Sequence, residues 1–92
     1  MKVMSREDLS NFQTNGLISE LIVEKENDNW TVCVETMNRD HHLLFDSIRM
    51  EQVRFKTIDS IIHYLRSIDI SPYLVGITEN KLVFSYYMGR IV

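Results

Sequence analysis

Catalysis needs a nucleophile, a base or a metal ligand held close to its partner, so the cysteine and the histidines come first. His41 and His42 follow Asp40. Two imidazoles side by side suggest a metal, but neighbours on a strand point to opposite faces and rarely share one ion. No Cys or His recurs at zinc spacing. Cys33 sits in WTVCVETM between Val32 and Val34, far in sequence from every histidine. A thiol becomes a nucleophile only beside a base, and a mid-strand cysteine is more often a small, inert core residue. His63 has Asp59 four residues before it and Arg66 three after. An Asp–His pair at that spacing could be an acid–base dyad, but it is more often a solvated helix contact. Gly16, Gly76 and Gly89 are isolated, so no phosphate-cradling loop is spelled out. The expectation is a protein that is not an enzyme and needs neither cofactor nor metal.

Two groups of residues could bind rather than react. Arg54 and Lys56 share one strand face, with Arg39 and Arg49 as candidate neighbours. A β-ribbon carrying such residues can enter a DNA major groove. The chain has net charge −3, so any attraction to nucleic acid must be local. Residues 39–66 hold five bases against four acids, whereas residues 1–28 hold three against six. Arg39, Arg49, Arg54 and Lys56 are therefore candidate nucleic-acid-binding residues, with a solvated face as the plainer reading. The second group is the aromatic C-terminus, LVFSYYMGRIV. Leu82, Phe84 and Tyr86 alternate with Val83 and Tyr87. Either this is a core strand, or it is an edge that pairs with a second copy as a symmetric dimer. Leu82, Phe84, Tyr86 and Tyr87 are the candidate oligomer or partner interface.

The elements that would position these residues are well marked. Ser5 caps a helix over residues 6–14, with Asp8 completing a capping box and Met4 and Leu9 at staple spacing. Gly16 suits the left-handed position after it, from which Leu17 could fold back onto Phe12. LISELIVEK and WTVCVETM alternate as strands around an Asn27-Asp28-Asn29 turn, forming a hairpin. A third strand follows over residues 42–48 and continues or restarts over 53–56, with a bulge plausible over 49–52. Thr57 caps a second helix in which Ile58, Ile61, Ile62, Leu65 and Ile68 form one apolar stripe. It should end near Asp69, before Pro72. Residues 73–78 and 81–88 form the last two strands. The order α-β-β-β-α-β-β predicts an α+β fold: a mostly antiparallel five-stranded sheet with two helices on one face.

Ninety-two residues, 45% hydrophobic and 25% charged, suit a single domain, 1–92. So short a chain buries only roughly 60–65% of its unfolded surface, and small domains often complete their core as homodimers. The lone cysteine rules out an internal disulfide. MKVMSREDL lacks the apolar run of a signal peptide, and no stretch reaches membrane-spanning length. The expected location is the cytoplasm.

The frame SREDLSNFQTNGLISELIVEK and VRFKTIDSIIHYLRSIDIS is similar to small plasmid partition-accessory proteins of the ParC-like type. The matching segments are Gly16 to Leu21, Arg54 to Asp59, and Leu65 to Ile70. The resemblance implies a non-enzymatic accessory protein on a plasmid or other mobile element. Its protein partner would be a partition ATPase or a DNA-binding protein. It carries over no binding residues. The sequence thus points to a small interaction module, with a DNA-binding transcriptional regulator as the alternative.

Overall fold

The computed structural model describes residues 2–88. Its elements are β1 (Lys2–Met4), α1 (Arg6–Thr14), β2 (Ile18–Glu26), β3 (Asn29–Thr36), β4 (His41–Asp46), β5 (Glu51–Gln52), α2 (Ile58–Arg66), β6 (Ile70–Ile77) and β7 (Lys81–Met88). The class is α+β, as expected, but the sheet is mixed and has seven strands rather than five. Its main path runs β1-β4-β3-β2-β7-β6, with β5 pairing β4 off that path. The two additional strands are short. β1 lies parallel to β4, with Met4 opposite Leu44, so its partner is some 40 residues away and no local pattern announces it. β5 is formed because the chain turns back after Asp46 and pairs Gln52 with Phe45.

Local chemistry explains both helices. Ser5 Oγ accepts from the Asp8 amide at 3.1 Å, and Asp8 Oδ2 accepts from the Ser5 amide at 3.3 Å, which satisfies two otherwise unpaired donors. At the other end the Leu17 amide donates to the Phe12 carbonyl (2.9 Å) and the Gly16 amide to that of Gln13 (3.0 Å). This pattern needs a left-handed residue, and Gly16 supplies it at φ 68° without a Cβ clash. In α2 the Thr57 hydroxyl accepts from the Ser60 amide at 3.1 Å. The helix stops at Arg66, and Asp69 at φ 63° turns the chain into β6.

One face of the sheet carries the core. Leu21 lies opposite Val34 on one side and Phe84 on the other, Val23 opposite Val32, and Met4 opposite Leu44. Leu9 of α1 and Ile61 and Leu65 of α2 join the same cluster, so both helices cover this face. Gln13, buried on α1, reaches the Asp69 carbonyl with Nε2 at 3.4 Å and ties α1 to the turn after α2. In β2 the expected alternation is reset. A bulge between Ile18 and Glu20 turns Ile18 inward and leaves Leu17 exposed, where simple alternation had put Leu17 inside. β6 starts three residues earlier than expected and includes Pro72. An edge strand tolerates proline because the missing N–H faces no partner.

Among the described residues, no helix covers the opposite face. Its central row runs Val3, Leu43, Cys33, Ile22, Val83 and Gly76 in register across the strands. Charged residues flank that row. Lys81 Nζ pairs with Glu24 at 3.3 Å, and His41 Nε2 lies 3.1 Å from Glu35.

Candidate functional site

The structure brings Cys33 and His41 to one depression and leaves His42 and His63 elsewhere. Cys33 is half-buried on the open face, in a shallow depression that Ile22, Thr31, Leu43, Glu24, Lys81 and His41 also line. Burial first, and then the Glu24 and Glu35 carboxylates, push its thiol pKa up. That disfavours the thiolate a nucleophile needs. His41 stands opposite Glu35, diagonal to Cys33 across the β3–β4 ladder. Diagonal neighbours in such a ladder have backbones roughly 7–8 Å apart, and the His41 imidazole is turned to Glu35, with Nε2 3.1 Å from its carboxylate. His42 faces the other side, against the Phe12 ring at 6.0 Å. Its Nδ1 is enclosed and has no hydrogen-bond partner among the described residues. His63 is exposed on α2. Among the described residues no three of His, Cys, Asp and Glu gather as a metal site.

The four candidate basic residues are not gathered into one surface. Arg39 sits in the β3–β4 turn at φ 65°. Arg49 sits in the turn at the far end of β4, a strand of six residues and so about 17 Å away. Arg49 and Arg54 line a common depression together with Asp46 and Glu51, so its formal charges cancel. Asp46 organises this turn. Its Oδ1 accepts from the Ile48 and Arg49 amides at 2.9 and 3.1 Å, and these bonds hold its carboxyl below the usual range. Phe55 bridges to Trp30 and is buried, which leaves Arg54 and Lys56 exposed on either side of it. Both are exposed, but the strand expected over 53–56 is reduced to the single bridge at Phe55, so they do not share a strand face.

The C-terminal aromatic strand is corrected more sharply. β7 is an inner strand, hydrogen-bonded to β2 on one side and β6 on the other. Phe84 is in the core, with Leu82 and Tyr86 packed against it. The Tyr86 hydroxyl donates to the Ile18 carbonyl at 2.6 Å. These three are structural, because α2 crosses the sheet and delivers β6 to the outside of β7. Tyr87 alone of the four is exposed, at 54%. It lies on the open face, where its ring meets that of Tyr73 at 4.7 Å.

The edge that sequence reasoning missed is therefore β6. Tyr73, Leu74, Val75 and Ile77 are 39%, 46%, 53% and 69% exposed. Tyr73 and Tyr87 lie on the open face, whereas Leu74, opposite Phe84, and Ile77, opposite Leu82, lie on the helix-covered face, so this edge is apolar on both sides of the sheet. Its signal was present in SPYLVGI, a strand sequence with no charge. What was missing was the strand order that puts it outermost.

No family model, curated protein or solved structure matches the chain.

Proposed function

We propose that the protein is a small non-catalytic interaction module that works through protein–protein contacts at the β6 end of its sheet. The observation that carries this reading is the clustering of exposed Tyr73, Leu74, Val75, Ile77 and Tyr87 on one edge. Exposed apolar side chains scattered singly are ordinary, but a patch of them on an edge strand marks a contact surface. Tyrosine is also among the residues that carry most of the energy in protein interfaces. A raised thiol pKa at Cys33 and the engagement of its neighbour His41 by Glu35 support a non-catalytic role. From the resemblance of Gly16 to Leu21, Arg54 to Asp59 and Leu65 to Ile70 to partition-accessory proteins, a plasmid or other mobile element is the proposed setting of the module. Its partner there would be a partition ATPase or a DNA-binding protein, and its compartment the cytoplasm.

The test is affinity capture from the native cell after nuclease treatment, with wild type beside a Tyr73→Ser/Tyr87→Ser variant. Both rings are exposed, so the variant should fold. A protein retained by the wild type and lost by the variant supports the reading. Equal retention by both would locate the contact elsewhere.

A second reading is a DNA-binding regulator, favoured by the exposed Arg54–Lys56 pair. It requires an affinity for DNA that falls steeply with salt and drops on Arg54→Ala plus Lys56→Ala. An unchanged affinity in that variant removes it.

A further inference from the structure

We infer that the contact at β6 is made with a second copy of this chain, as a two-fold dimer in which β6 of one copy lies along β6 of the other. This rests on the proposal that the β6 end is the interaction surface, and it names the occupant. Charge supplies the first argument. Two copies each bearing net charge −3 repel, and they approach at least cost where neither presents charge. β6 is the one described strand with no charged residue; every other carries at least one Lys, His, Asp or Glu.

The second argument is the contrast between the two edges. β1, at the far edge, is three residues long and begins with Lys2, whose Nζ pairs with Asp40 at 3.2 Å. Shortness and charge are the usual guards against edge pairing. β6 has eight residues, and its guards are Pro72 and the bulge between Leu74 and Gly76. Those two features shorten any new hydrogen-bonded ladder, so side chains carry much of the contact. A head-to-tail meeting of β6 with β1 would set apolar side chains against a short charged strand and could repeat without end. A β6–β6 meeting is self-complementary and closes at two copies. It continues the sheet across the two copies, with Leu74 and Ile77 on the helix-covered face and the Tyr73–Tyr87 ring pair on the open face of each. A domain this small also has the most to gain from such an extension of its core.

The experiment is sedimentation velocity on the full chain from about 1 µM to about 500 µM, a range that spans weak and standard interfaces. The expected result is a shift from one chain to two in the wild type. A Val75→Lys/Ile77→Lys variant should remain one chain throughout, with an unchanged far-ultraviolet circular dichroism spectrum. Amide exchange of the wild type alone gives an independent reading: residues 74–77 should exchange more slowly as concentration rises. A wild type that stays one chain at the highest concentration overturns the inference. So does a folded lysine variant that dimerises as tightly as wild type, or growth beyond two copies. A monomeric wild type that still captures a foreign protein through Tyr73 and Tyr87 would remove the dimer and leave the interaction reading standing. Dimerisation without any such capture removes the foreign partner and leaves the dimer standing.

Discussion

At the scale of single residues, two side chains carry measurable consequences. His42 Nδ1 is enclosed with no partner among the described residues, and an unpaired buried polar atom costs about 1–3 kcal/mol. His42→Phe keeps a ring against Phe12 and removes that polar atom. It should raise stability by about 1 kcal/mol in urea unfolding; a loss of stability would mean that the imidazole has a partner after all. Tyr86 is held neutral by burial, which raises its pKa. Its folded-state pKa therefore exceeds the unfolded value of about 10. The stability it contributes is full below that unfolded value and declines as pH rises through the folded one. Wild type should thus lose stability above about pH 10 more steeply than Tyr86→Phe. Parallel curves would show that Tyr86 does not drive the alkaline loss.

At the scale of elements, what could be read ahead of the structure was whatever depends on residues close in sequence. The Ser5–Asp8 box, the Gly16 stop and the Thr57 cap are contacts three to five residues long, and each appears as expected. Thr57→Ala should cost about 1 kcal/mol in the same unfolding measurement, because the Ser60 amide loses its acceptor. No change would mean that water replaces the hydroxyl there. Of the stripe Ile58, Ile61, Ile62, Leu65 and Ile68, the residues Ile61, Leu65 and Ile68 are buried and Ile58 and Ile62 are only partly so. Features that depend on distant partners were not legible. The strand character of Lys2–Met4 comes from β4, and the bulge at Ser19 shows only in pairing with β3. Pro72 reads as a breaker until β6 is known to be an edge.

At the scale of the whole molecule, strand order decides where contact can occur. The sequence contains two uncharged apolar segments near its end, over residues 70–78 and 82–89, and nothing local says which is outermost. The crossing of α2 puts β6 on the rim and β7 inside. The interface expected at Leu82, Phe84 and Tyr86 thereby becomes core, and the exposed surface moves to Tyr73, Leu74, Val75 and Ile77. The same topology sets Arg39 and Arg49 at opposite ends of β4, which divides the basic group.

The account's central claim is that the protein works through the β6 edge. The most direct test places a photo-cross-linking amino acid at Ile77, and as a control at Glu26 at the end of β2, in the native cell. The account predicts discrete protein adducts from position 77 and none from position 26. Equal labelling from both positions, or adducts from position 26 alone, would contradict it.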